Sequence, residues 1–166
     1  LAVPGYPSEN EPQAHTRSLI EAAGRGDAQA QYELASSYEV GIRVGKDYTE
    51  ALKWYRQAAD QNEVHAQVAL GRMLEYGLGI KQSYVEAAAW YRKAAESNHA
   101  GAQTKLGELY DRGLGVPQDP AEAAKWYRSA ADQGHVHAQF ALGRRYLQSE
   151  GTLQNYSEEA AWFRRA

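Results

Sequence analysis

Trp54, Trp90, Trp126 and Trp162 are the four tryptophans of the chain, and each stands 36 residues after the one before it. A tryptophan buries about 150–250 Å² and dominates the packing where it sits. One helix pair is too small to cover such a face. Stacked copies of one unit cover it, each ring lying between neighbours in a continuous core. A period between about 20 and 50 residues marks a solenoid or array.

The register extends well beyond tryptophan. Ala30-Gln31, Ala66-Gln67, Ala102-Gln103 and Ala138-Gln139 share it, as do Leu34, Leu70, Leu106 and Leu142. Ala35, Gly71, Gly107 and Gly143 follow the leucines, and Tyr38, Leu74, Tyr110 and Tyr146 complete the stripe. Within each copy these positions fall at helical spacing, which predicts an amphipathic helix A. Glycine inside a helix costs about 1 kcal/mol against alanine, so its recurrence predicts close backbone approach between helices. The recurring glutamines sit among apolar residues. A buried amide needs partners, so they are expected to bond backbone across the helix pairs.

Gly77-Leu78-Gly79 and Gly113-Leu114-Gly115-Val116-Pro117 break helix A, and the first copy departs with Arg43 at the second glycine. Asp47, Ser83, Asp119 and Asn155 then stand as N-caps before a second helix, B. Helix B carries the tryptophan and ends near Asn62, Asn98 or Gly134. Two helices of about a dozen residues per copy are expected, with no sheet.

The resulting division is a proline-rich lead-in over 1–12, a capping helix over 13–26 and an array over 27–166. The copies are 27–62, 63–98, 99–134 and an incomplete 135–166. The capping helix is half a repeat with Ser18 at the tryptophan position, as suits an end facing water. Stopping part-way along helix B leaves Trp162 and Phe163 uncovered, which predicts either a continuing chain or an edge for self-association.

Composition narrows the function. The net charge is −3 with both signs interspersed, so no basic patch points to nucleic acid. No run of 18 apolar residues is present, so no membrane insertion is expected. With no cysteine there is no disulfide, thiolate metal site or cysteine nucleophile. No phosphate-cradling loop, catalytic triad or metal-ligand spacing is present, and no cofactor is expected. His99 and His135 read as helix-start residues, and His65 and His137 as solvent-facing ones. Arg25-Gly26-Asp27 and Asn155-Tyr156-Ser157 read as helix boundaries rather than as adhesion or glycosylation signals. The repeated Arg56, Arg92, Arg128 and Arg164 read as stems that cover neighbouring aromatics.

The string Ala102-Gln103, Leu106-Gly107, Tyr110, Gly113-Leu114-Gly115-Val116-Pro117-Gln118-Asp119, Ala123, Trp126-Tyr127-Arg128, Ala130-Ala131 and Gly134 closely resembles the Sel-one-like repeat, a relative of the tetratricopeptide repeat. The resemblance implies an all-α, right-handed superhelix of helix-turn-helix units with the N-terminal half repeat before it. It also implies a non-enzymatic adaptor that binds a protein or peptide. Bacterial periplasm or envelope is the favoured compartment on the same ground, with cytoplasm open.

By resemblance to tetratricopeptide arrays, the inner surface is built from helix A positions outside the leucine stripe. Its candidate binding residues are Tyr32 and Glu39 in the first copy, and His65, Arg72, Glu75 and Tyr76 in the second. Glu108, Asp111 and Arg112 follow in the third, and His137, Phe140 and Arg144 in the fourth. Glu39, Glu75 and Asp111 form an acidic row expected to hold a Lys- or Arg-bearing segment, with nearby arginines as internal competitors. A regulatory or inhibitory module of a larger enzyme or of an envelope or secretion assembly is the alternative reading.

Overall fold

The structure is a computed structural model and describes residues 11–148, with side chains from 14 to 145. Residues 1–10 of the lead-in, the Asn155 cap, Trp162, Phe163 and Arg164 lie outside the described residues. Eight α-helices follow one another, and the described residues contain no strand. They are α1 (Glu11–Gly24), α2 (Ala28–Val40), α3 (Tyr48–Asp60), α4 (Val64–Tyr76), α5 (Tyr84–Glu96), α6 (Ala100–Arg112), α7 (Pro120–Asp132) and α8 (Val136–Gln148). Helix A of each copy is α2, α4, α6 or α8; helix B is α3, α5 or α7. The closest backbone approaches join helices consecutive in the chain, as a stacked array requires. Helix α1 begins before Gln13 and takes in Pro12, which the first turn tolerates because that turn needs no backbone donor.

The predicted caps hold the helix ends. Asp47 and Asp119 each accept from two backbone N–H groups, and Ser83 accepts from Glu86 N. Helix A starts are capped by Asp27, Glu63 and His99. Asn62 (φ 66°), Asn98 (φ 63°) and Gly134 (φ 83°) take the left-handed conformation that ends helix B.

The glutamine row behaves as its surroundings demand. The Nε2 groups of Gln31, Gln67, Gln103 and Gln139 donate to the carbonyls of Ala23, Ala59, Ala95 and Ala131, each on the preceding helix B or on α1. In two copies the amide oxygen is also satisfied. Gln61 Nε2 donates to Gln31 Oε1 at 2.7 Å, and Gln133 Nε2 to Gln103 Oε1 at 2.8 Å. The intervening copy has Ser97 at that repeat position, and Gln67 Oε1 is buried without a partner. A buried acceptor left unmatched costs about 1–3 kcal/mol. Ser97→Gln is therefore expected to stabilise the fold by about 1 kcal/mol, roughly 3 °C in Tm for a chain of this size. Thermal unfolding of the variant against the parent checks it, and an unchanged Tm refutes it.

Two expectations are corrected. The tryptophans are not the deepest residues: Trp54, Trp90 and Trp126 are half-buried against the core. Their aromatic neighbours Tyr55, Tyr91 and Tyr127 are only 2%, 1% and 3% exposed. Adjacent helical residues point about 100° apart, so only one of each pair can face the core. Lys53 and Lys93 lie over the outer faces of Trp54 and Trp90, at 5.2 and 3.9 Å from the rings.

The helix A glycines, for their part, make room for a ring and not for another helix backbone. A Cβ on Gly71 would stand 2.9 Å from the Tyr91 ring, and one on Gly107 would stand 2.8 Å from the Tyr127 ring. True backbone proximity occurs in the break. A Cβ on Gly115 would lie 2.2 Å from the carbonyl of Tyr84, at the start of the preceding helix B. Arg43, at the equivalent position in the first copy, adopts the same positive φ (69°) without being glycine.

Candidate functional site

The helix A face carries a carboxylate at the penultimate residue of three helices: Glu39, Glu75 and Asp111. Each lies 16 residues before a buried tyrosine of its own copy. Tyr55 Oη donates to Glu39 at 2.9 Å and Tyr91 Oη to Glu75 at 2.7 Å, and the Tyr127 hydroxyl bonds Asp111. Burial first, and then the carboxylate, push all three hydroxyls well above the ordinary phenol value, so they remain donors.

The next copy supplies a cation to each carboxylate. Arg72 donates to both oxygens of Glu39 at 2.5 and 2.6 Å. Lys105 lies 3.7 Å from Glu75 and 2.9 Å from Glu108. Arg145 pairs with Asp111. Each carboxylate thus joins helix A and helix B of one copy to helix A of the next. The acidic row is matched inside the molecule, and Glu75 is only 6% exposed. This corrects the expectation of an open anionic track for a Lys- or Arg-bearing segment. Removing a buried charge's partner is costly, so the row is first a structural tie between copies.

Sequence reasoning passed over the other members of these ties. Tyr55, Tyr91 and Tyr127 were visible as a recurring residue after each tryptophan, at a constant distance from the carboxylate. Lys105 and Arg145 gave no such signal, because the three cations occupy three different repeat positions.

The remaining predicted residues fall into two neighbourhoods. Tyr32, Glu39, His65 and Arg72 line a cavity of about 320 Å³ between α2 and α4, with Val40 and Val68. The Tyr32 ring lies 5.8 Å from Tyr55 and 5.8 Å from His65. Glu108, Asp111, Arg112 and Arg144 line a larger cavity of about 730 Å³, with Tyr127 and Arg145. Tyr76, His137 and Phe140 line neither cavity. Tyr76 and Phe140 present large apolar side chains to solvent, 56% and 53% exposed.

The histidines stand at helix starts. His99 Nδ1 accepts from Ala102 N at 3.1 Å, and its ring meets His65 edge-on at 5.4 Å. His135 Nδ1 is 2.9 Å from Thr104 Oγ1, and its ring is 5.8 Å from that of His137. Burial, and then a neighbouring histidine, hold His99 and His135 below the usual imidazole value. Among the described residues no group of three or more His, Asp or Glu side chains is placed to hold a metal ion. No helix of the described residues is long and apolar enough to cross a membrane.

Such a molecule is an α-helical repeat solenoid. Four Sel1 repeats match the chain at residues 28–63, 64–99, 100–135 and 136–166, and it belongs to the Sel1 repeat family. No curated protein matches it. Among solved structures it is similar to c5321, a protective antigen of uropathogenic Escherichia coli with an SLR fold. The two share 38% identity at a TM-score of 0.86, over 90% of this chain and 32% of that one. A Sel1 repeat protein from Oxalobacter formigenes matches at 35% identity and a TM-score of 0.85, over 92% of this chain and 61% of that one. The chain therefore spans about a third and about three fifths of these two relatives. Helicobacter pylori cysteine rich protein B shares the fold at 20% identity and a TM-score of 0.63. Sel1 repeats generally serve as protein-interaction scaffolds without enzymatic activity.

Proposed function

We propose that this chain is a protein-binding scaffold whose helix A face, from Tyr32 to Arg144, takes a protein or peptide segment. The carrying observation is that helix A side chains expose large aromatic surface while the carboxylates among them are tied to tyrosines and cations. Tyr76 and Phe140 are 56% and 53% exposed, and two cavities open between helix A elements. Exposed aromatic side chains on a rigid support are the usual anchors of an interface.

The test is made with a partner purified from the source organism. Tyr76→Ala with Phe140→Ala is expected to weaken binding by about tenfold or more, since anchor truncations cost about 2 kcal/mol or more. Val85→Ala, an exposed apolar side chain on helix B, should leave affinity within about twofold. The opposite ranking would move the interface off the helix A face. A second reading is a regulatory or inhibitory repeat module of a larger enzyme or of an envelope or secretion assembly, in line with the greater length of the two Sel1-type structures it resembles.

A further inference from the structure

The two ends of the helix A face differ in charge. Glu39, Glu75, Glu108 and Asp111 lie along it, and each of them has a cation: Glu39 has Arg72, Glu75 and Glu108 share Lys105, and Asp111 has Arg145. Arg112 and Arg144 are exposed and make no ion pair with any described residue. Arg112 lies in the last turn of α6, where a cation suits the helix end. That accounts for one arginine and not for both. Arg144 is the repeat equivalent of Arg72, which reaches back to Glu39. Its own equivalent acceptor is Asp111, and Arg145 has taken that place. Arg112 and Arg144 therefore share the wall of the 730 Å³ cavity with Glu108 and Asp111, whose cations are Lys105 and Arg145, and the two arginines leave an unbalanced positive charge there, in a chain whose net charge is −3.

We infer that this cavity receives paired carboxylates of an acidic peptide segment, whose apolar residue seats in the cavity between α2 and α4. The inference rests on the helix A face being the docking surface. Guanidinium groups bind carboxylates through forked, charge-assisted hydrogen bonds, and the cavity shields the pair from part of the solvent that weakens exposed ion pairs. The second cavity sets Tyr32, Val40 and Val68 beside Glu39, His65 and Arg72; the Glu39 and Arg72 charges are paired with each other, and the apolar side of the cavity fits an aliphatic or aromatic side chain. Each step from one helix A to the next spans about 10 Å, and two steps put the two cavities roughly 20 Å from each other. An extended chain advances about 3.3 Å per residue, so about six residues separate the acidic pair from the apolar anchor. The exposed Tyr76 stands on α4, on the intervening stretch. A peptide reaches both cavities at once and brings an apolar side chain to Tyr32, Val40 and Val68, which a nucleic acid would leave unused.

The experiment uses fluorescein-labelled dodecapeptides with a leucine about six residues from a Glu-Asp pair, made in both orders. Matched peptides carry Gln-Asn or Lys-Lys in place of the pair. Fluorescence anisotropy is measured at low and moderate salt. One acidic peptide is expected to bind about tenfold tighter than its Gln-Asn counterpart. Arg112→Gln with Arg144→Gln should remove that preference and flatten the salt dependence, with Tm unchanged because neither side chain makes an ion pair with a described residue. Equal binding of acidic and amide peptides overturns the assignment. If Tyr76→Ala with Phe140→Ala weakens both, the docking face itself stands. Tighter binding of the Lys-Lys peptide, displacement by a single-stranded oligonucleotide, or no binding by either acidic peptide also overturns it. The purified-partner measurement then judges the docking face alone.

Discussion

Tyr91→Ala is expected to destabilise the fold by about 4–5 kcal/mol, while Trp90→Ala, one residue earlier, is expected to cost about 1–2 kcal/mol. Size alone would predict the reverse. Tyr91 is 1% exposed, lies against Gly71 and donates to the buried carboxylate of Glu75. Its removal opens a cavity that the helix backbone cannot collapse into. It also leaves Glu75 with Lys105 alone, at 3.7 Å. Trp90 is half-buried and has Lys93 across its outer face, so less of its surface returns to water. Tyr91→Phe separates the two contributions. It keeps the ring and should cost about 1–3 kcal/mol through the unmatched carboxylate. Urea or thermal unfolding of the three variants gives the ranking, and a Trp90→Ala as damaging as Tyr91→Ala would contradict it.

Gly115→Ala is expected to cost about 3 kcal/mol or more, against about 1 kcal/mol for Gly134→Ala. Both residues hold positive φ, 71° and 83°. The conformational penalty of a Cβ is therefore common to both. Their surroundings differ. Nothing lies within 4 Å of a Cβ on Gly134, whereas on Gly115 it would overlap the Tyr84 carbonyl at 2.2 Å. Backbone cannot swing aside as a side chain can, so the break would have to lift away from α5. Far-ultraviolet circular dichroism should stay helical in both variants while the unfolding midpoint separates them. Equal midpoints would mean that the break moves freely.

The period made most of the architecture readable. Helix pairs, caps and breaks follow from residues that recur in register, and Gln31, Gln67, Gln103 and Gln139 bond the carbonyls that a buried amide must find. Depth was not readable, because each tryptophan adjoins a tyrosine of the same period. A repeat pattern says that both recur, and only the helix rotation decides which faces inward. The charge of the helix A face was hidden for another reason. Glu39, Glu75 and Asp111 recur in register, but their cations are Arg72, Lys105 and Arg145, which do not. An acidic row stood out, and the side chains that match it did not. The tyrosine hydroxyls recur with their rings, and spacing alone does not mark them as donors.

Those ties have a direction. The preceding copy always brings the acceptor and the hydroxyl, and the following copy always brings the cation. Successive copies therefore join like plug and socket, and never socket to socket. Helix α2, which follows only α1, has no Lys or Arg at the three positions that supply a plug, where Glu33, Ser36 and Ser37 stand. In the fourth copy the register puts Leu147 at the carboxylate position and Phe163 at the tyrosine position, so both parts of the socket are lost together. Duplicating residues 64–99 would add Glu75, Tyr91 and Arg72 as a set and leave each carboxylate of the ties with a cation one copy on. Gene duplication can lengthen such a chain from the middle without a compensating mutation, and the copy number is free to follow the length of whatever the array must span.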